Sequence, residues 1–573
     1  MIDLIFFAIT LYAKYIIFFV YLLLLGRGSH IIFNKYLLKQ SEKSNLILET
    51  KAIIFYPIIG AIILGNILIT LNYFIKLNHK FIPIIAMFLL LPNFKDLKLI
   101  RQSFSKVFSI QNITLYIVIP GVLLISSSDI NFHYDAAYYH LNHQNWLRES
   151  NLIIGTVNIF WPFGMSSIFE YLSSVLWFGN SLIYLHFLNI VFIHFFFSFI
   201  FIHLFNTKNS NLKYSSLMLL IFSFIDNFGI SGGRNGFIYI QEIGKQDTAV
   251  AILYCITSIL LLDKIQKLKV IKTDIVYFSL LVFFIFEIKV SGVIIFFLYF
   301  LLLFLLIKNK HFEIKKILSL QIPTILFGII WSVKSILTTG CLIYPLSFTC
   351  YESFWWYEPG STERVEEYTT ATSFSYMEYF LSDNLNFMDW FNDFFFASAN
   401  STFSSYYLAV YTNFLISIFV LLLIKKILFN NNLLNFRFKI IISLYVFLSI
   451  LYLVFYGPIP RYSMGILCTT IAIIGFFIDS ERVHIPQILV VTLFIVSLGL
   501  FPRLSSYQAF LTNGDISLFD PRVESQYNEV NKVSPWIRPD SGDRCWININ
   551  CTMETKNIVI IQEDFFKVAY KEG

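Results

Sequence analysis

The run YFSLLVFFIFEIKVSGVIIFFLYFLLLFLLI (residues 277–307) carries two charged side chains, Glu287 and Lys289, and they fall together near its middle. One crossing of a hydrocarbon core about 30 Å thick takes roughly 20 residues in a helix, so some thirty residues are too many for one span. Divided at Glu287-Ile288-Lys289, the run becomes a tight hairpin of two helices. Left whole, it is one tilted helix, and the side of the membrane assigned to everything after it is inverted. The basic clusters downstream agree with the hairpin.

Comparable runs recur along most of the chain. Of its 573 residues 57% are hydrophobic and 14% charged, with a mean hydropathy of +0.68, which leaves too little polar surface for a water-soluble fold of this size. The first run, Leu4 to Leu25, spans a bilayer, lacks a basic start and has no small-residue cleavage site after it, so it reads as a retained helix rather than a signal peptide. Spans are expected near residues 3–25, 52–75, 80–93, 112–127, 181–205, 214–229, 247–262, 274–288, 290–307, 318–337, 404–424, 438–456, 463–478 and 487–502. The expected fold is therefore an all-α polytopic membrane protein of about 12–14 transmembrane helices. It divides into a membrane domain over 1–502 and a small C-terminal segment over 503–573.

With the N-terminus outside, alternation puts the basic connections Arg27–Lys51, Lys95–Lys106, Lys264–Lys272, Lys308–Lys316 and Lys425–Lys439 inside, as the positive-inside rule requires. The net charge of +6 is thereby a topology signal and not a nucleic-acid footprint. The same parity places Ser128–Ser166, Gly340–Thr402 and Pro502–Gly573 on the non-cytoplasmic side of what reads as a bacterial inner membrane. Cys341 and Cys350 lie in the second of these segments, and Cys545 and Cys551 in the third. Both pairs are disulfide candidates in an oxidising compartment, or four unrelated thiols. Cys255 and Cys468 read as buried apolar residues. There is no repeat of fixed period and no nucleotide-binding glycine loop.

The first long loop, SSSDINFHYDAAYYHLNHQNWLRESNLIIGTVNIFWPFGMSSIFEYLSS (126–174), is the richest in chemistry. Residues 136–149 look helical, with Asp135 and Tyr139 on one face and His140 and His143 on another. A carboxylate at the start of such a helix is kept ionised by the dipole, which suits a general base, and Asp is equally suited to cap the helix. The two histidines read as hydrogen-bonded structural residues or as ligands of phosphate or a divalent metal.

Five cations run against the topology rule, at the expected outer helix ends: Arg234, Lys245, Lys289, Lys334 and Arg461. At that depth a cation is costly. Converging on one cavity, they would grip a phosphate; taken singly, each could snorkel to headgroups. The local strings GKQDTAV, FEIKVSG, TTGCLIYPLSF and YGPIPRYSMG each interrupt an apolar run with turn or polar residues, as backbone lining a cavity does. The aromatic stretch from Tyr351 to Phe403 fits sugar stacking or interfacial anchoring.

The loop acid, the helical residues after it, the second long loop and the cations together resemble GT-C-type membrane glycosyltransferases. The strings DAAYYH, TGCLIYP, PIPRY and DRCWININC look like a family of bacterial polytopic membrane proteins with this layout. The resemblance runs from about Asp129 to Cys551. It implies juxtamembrane helices in the outer loops, a polyprenyl-phosphate-linked sugar donor and a glycan or lipid acceptor. It makes Asp135 the base that deprotonates the acceptor hydroxyl, with Asp129 as substitute and His140 beside it. Arg461, Lys289 and Lys334 would be the cations on the donor phosphate. The chain departs from the pattern in having no second acidic pair in a later loop and no large soluble acceptor domain. A transporter or flippase of lipid-linked saccharides, and a non-catalytic assembly protein, are the rival functions. Ionisable groups gathered at one face, without repeats, favour the enzyme.

Overall fold

The computed structural model describes residues 2–38, 54–94, 109–128, 134–178, 182–205, 209–227, 245–375, 402–428, 434–456, 459–478, 486–512, 530–533, 536–539, 542–546 and 549–572. A helix occupies each of the apolar runs, beginning with Ile2–Phe33 and ending with Gln487–Leu500. The protein is thus a multi-pass helical membrane protein in its general architecture. The number of spans differs from expectation. Among the described residues eight helices are long and apolar enough to cross a membrane, or nine if the bent pair Gln487–Leu500 and Leu504–Thr512 is one span. The reason is length. Tyr56–Asn72 has 17 residues; at about 1.5 Å per residue it does not reach across about 30 Å of hydrocarbon unaided.

Residues 277–307 break where the charges are. Helix Lys272–Ile288 ends at Lys289 in extended backbone, a turn of 3₁₀-helix covers Val290–Ile294, and helix Ile295–Lys308 follows. A Cβ on Gly292 would stand 2.4 Å from the Ile285 side chain. Seven residues of continuous helix would separate the two by roughly 10 Å, so the chain has turned back on itself.

Helices Ile183–Phe205 and Asp247–Lys267 are central: 94% and 89% of their apolar windows are buried within the protein, against 22–39% for the other candidate spans. Several polar groups inside this packing have partners. The Tyr15 hydroxyl lies 3.0 Å from Nδ1 of His194, whose Nε2 lies 2.6 Å from the Leu115 carbonyl, and the Tyr445 hydroxyl donates to that of Tyr254 at 2.9 Å. Helices Ile2–Phe33 and Tyr56–Asn72 cross at two glycines. A Cβ on Gly26 would meet the Tyr56 carbonyl oxygen at 1.9 Å, and one on Gly60 that of Leu22 at 1.9 Å. Small residues allow such backbone contact between membrane helices, where dispersion and not hydrophobic burial drives association.

The chain is not wholly α. Strand β1 (Ile153–Ile154) lies in the first long loop; β2 (Val530–Val533), β3 (Trp536–Pro539), β4 (Asn557–Glu563) and β5 (Phe566–Glu572) lie in the tail. β4 and β5 form an antiparallel hairpin, with Asp564 at φ 48° in its two-residue turn, and β5 pairs in parallel with β1. The tail is fastened to that loop elsewhere too. The amides of Cys545 and Trp546 donate to the Ala137 carbonyl at 3.0 and 2.9 Å, and the Thr552 hydroxyl to that of Ile159 at 2.6 Å. Cys341 is disulfide-bonded to Cys350 and Cys545 to Cys551, while Cys255 and Cys468 are buried free thiols.

Replacing Gly60 by Val forces those two helices apart, and overpacking of this kind costs about 3 kcal/mol or more. Thermal unfolding of the purified protein in detergent will show a lower midpoint for Gly60→Val, whereas Gly499→Ala, at a position with open space, will leave it unchanged.

Candidate functional site

Asp135 opens the segment Ala136–His140, a stretch of π-helix that leads into α-helix Leu141–Glu149. Such widened turns occur often at functional sites. Its backbone is helical (φ −63°, ψ −22°) and its side chain makes no capping hydrogen bond, so the cap role open to it in the sequence is not taken. The carboxylate is ion-paired with Lys245 and faces Nη1 of Arg461 at 3.9 Å. Lys245 stands just ahead of helix Asp247–Lys267. Arg461 is in the first turn of helix Pro460–Ile473, begun by a proline that needs no amide partner there. Two helix N-termini, each a positive dipole end, therefore bring their first turns to one place.

A second ion pair adjoins the first. Asp247, in the first turn of its own helix, pairs with Lys289, the residue at which helix Lys272–Ile288 ends. Lys289 also lies over the Tyr462 ring, 4.3 Å from its centroid, and Arg461 donates through Nη2 to the Tyr462 hydroxyl at 3.2 Å. The cluster is three cations and two carboxylates. Its side chains open progressively, Lys245 being 10% exposed, Asp135 20% and Arg461 30%. An anion would enter from the arginine side. Burial, and after it the positive charge of Arg461, bring the Lys245 ammonium down to about 8, against the opposing pull of Asp135 and Asp247. Burial, then the Asp135 and Glu170 carboxylates, push the Tyr139 phenol well above its ordinary value, so it is a neutral hydrogen-bonding group at this site.

His140 and His143 do not reach the cluster directly. Both turn to Glu170 in the short helix Ile168–Ser174: His140 Nδ1 lies 2.5 Å from Oε1, and His143 Nδ1 bonds Oε2. Burial alone would raise the Glu170 carboxyl, but the two imidazoles hydrogen-bonded to it bring it down to about 2. A cavity of about 20 Å³, room for a water, touches His140, Glu170, Asn189, Lys245 and Gln246 and so joins this triad to the ion pairs. Among the described residues no group of three His, Cys, Asp or Glu side chains is placed to hold a metal ion.

Lys334 is placed elsewhere. It is buried, donates to the Ser166 carbonyl at 2.6 Å and lies over the Tyr171 ring, with Glu170 and Glu287 as the carboxylates in electrostatic reach. Asp129 and Arg234 fall outside the described residues. Three members of the arrangement, Glu170, Asp247 and Tyr462, went unassigned in the sequence. Asp247 stood in the string GKQDTAV and Glu170 in the first long loop. The one signal for Glu170 was a pair of histidines one turn apart that needed a buried acceptor.

Truncating Glu170 strands two buried imidazoles, so Glu170→Ala will destabilise the protein by roughly 3 kcal/mol. A carboxylate held below its usual value contributes stability in full above about 4.5, which is lost as pH falls through about 2. Unfolding midpoints of wild type and Glu170→Gln will accordingly converge as pH falls below 4.5.

No curated protein and no solved structure matches the chain. A family model matches residues 8–468, which take in Asp135, Glu170, Lys245, Lys289 and Arg461 and stop short of the tail. The chain therefore belongs to the family described as a domain of unknown function, DUF8201.

Proposed function

We propose that this protein is a GT-C-like membrane glycosyltransferase, working at the non-cytoplasmic face of the membrane. It moves a sugar from a polyprenyl-phosphate-linked donor to a glycan or lipid acceptor of the cell envelope. The single observation that supports this is the meeting of Asp135 with Lys245 and Arg461, three side chains from remote segments, at the ends of apolar helices. An acid against two cations, beside lipid, matches a reaction that removes a proton at one end and releases a lipid phosphate at the other.

The donor's lipid tail lies along the helices and its phosphate competes with Asp135 for Lys245 and Arg461. Arg461 offers a bidentate fork and Lys245 a point charge. Their capture by phosphate releases the carboxylate as the base. Asp135 takes the proton of the acceptor hydroxyl as its oxygen bonds to the anomeric carbon. The bond from that carbon to the phosphate oxygen breaks, and the electron pair leaves with the polyprenyl phosphate. Attack opposite the leaving group inverts the configuration. Charge gathers on the leaving phosphate, and each preplaced donor lowers the barrier by roughly 3 kcal/mol. Lys289 and Asp247 hold Arg461 in place through Tyr462 and the shared field.

Mass spectrometry of envelope glycans and lipid-linked intermediates in a deletion strain will show a missing sugar, restored by the wild-type chain and not by Asp135→Asn. Restoration by Asp135→Asn would remove the base and leave a flippase or an assembly role. The lysine supplies a pH test. Lys245 is a cation below about 8 and neutral above it, so binding of a polyprenyl phosphate to the protein in nanodiscs will weaken as pH rises through that value. In Lys245→Arg the loss will move beyond pH 10, because a guanidinium stays protonated.

A further inference from the structure

A cleft of about 620 Å³ lies where the first long loop, the second long loop and the tail meet. That size falls within the roughly 300–1,000 Å³ of small-ligand sites. Tyr138, Trp161, Tyr344 and Tyr368 line it with four aromatic rings. Trp161 and Tyr368 stand edge to face, with centroids 5.4 Å apart, and Tyr138 is fixed against Phe160 at 5.0 Å. Asn158, on the floor, is immobilised by bonds to the carbonyls of Trp356 at 2.9 Å and Ala569 at 3.0 Å.

The charged groups of the cleft are paired with one another, three cations on two carboxylates. Glu358 holds Lys556 at 2.9 Å, Arg364 at 3.1 Å and Lys571 at 3.2 Å, and Glu554 holds Lys571 at 2.7 Å. These pairs leave fixed acceptors and donors beside the half-buried rings of Tyr138, Trp161 and Tyr368. The Tyr344 hydroxyl, buried in the same lining, has no hydrogen-bond partner among the described residues. Tyr138, which lines the cleft, is within electrostatic reach of the Asp135 carboxylate, so the cleft neighbours the ion-pair cluster.

We infer that this cleft is a subsite for the saccharide of the acceptor, its sugar rings lying on Trp161 and Tyr368 and its hydroxyls meeting Glu358 and Glu554. The inference rests on the transferase reading for the word acceptor, but the binding itself does not. Rings present apolar C–H faces to the aromatics, and hydroxyls donate to carboxylates already held by lysines. The β4–β5 hairpin supplies Lys571 and its preceding segment Glu554 and Lys556, so the tail is a wall of the site.

The test is binding of the full-length, fluorescently labelled protein in detergent to an array of bacterial envelope oligosaccharides, with the best-bound saccharide then titrated in solution. Wild type will bind one of them. Trp161→Ala and Tyr368→Ala will weaken binding about tenfold or more, as loss of a central aromatic contact does. Glu554→Gln, which keeps the shape and removes the charge, will weaken it while keeping nearly the wild-type melting temperature. Absence of any bound saccharide, or equal affinity in all three cleft variants, would overturn the subsite. Saccharide binding by a chain whose Asp135→Asn variant still restores the missing envelope sugar would keep the subsite and overturn Asp135 as the base. Transfer intact in the cleft variants would do the reverse.

Discussion

Five charged side chains meet where the apolar helices end, and the placement of the surrounding segments depends on their compensating one another. Two charges 4 Å apart attract by about 4 kcal/mol at the effective dielectric near a protein surface, while a buried charge left alone costs several. Asp135 with Lys245, and Asp247 with Lys289, answer that cost. Arg461, between the two carboxylates, is the most open of the cations facing Asp135. The arrangement ties the first long loop to the starts of helices Asp247–Lys267 and Pro460–Ile473 and to the break after Ile288. Lipid supplies the rest of the constraint: helices that cannot leave the bilayer bring their polar ends to one level.

Around this cluster the non-helical chain is unusually well fastened. The first long loop carries Asp135 on one helical turn and His140 and His143 on the next, and Glu170 pins both histidines from within the same loop. The tail adds a strand to β1 and bonds to Ala137 and Ile159. In the proposed reaction such fastening has a use. A base must sit within hydrogen-bond reach of its proton, and displacement of 1 Å is enough to lose much of the rate.

Much of the architecture was legible because the bilayer imposes it. An apolar run of sufficient length must be a helix, and some thirty residues are too many for one crossing, so a break near Glu287 and Lys289 was readable from length together with the basic clusters downstream, although Glu287 stays in the last turn of its helix. The span count was less so, since an apolar run in the sequence does not show that its helix stays as short as Tyr56–Asn72. The strands of the tail were not legible, because FKVAYKE, short and charged, buries the neighbours Val568 and Ala569 together where a half-buried strand would alternate. At the site, Asp135, Lys245, Lys289 and Arg461 announced themselves as charges out of place. Their pairing, and the part played by Glu170, depend on contacts between remote segments that no local pattern encodes; Lys334, equally conspicuous, went to Ser166 instead.

The central claim is that Lys245 and Arg461 hold a lipid phosphate that Asp135 must yield to. An electron cryo-microscopy structure of the protein in nanodiscs with a polyprenyl phosphate tests it most directly. The account requires phosphate density within hydrogen-bond distance of both cations, the isoprenoid chain running along the helices, and the Asp135 carboxylate released from Lys245. Phosphate bound away from Arg461, or Asp135 and Arg461 opening towards opposite faces of the bilayer, would contradict it.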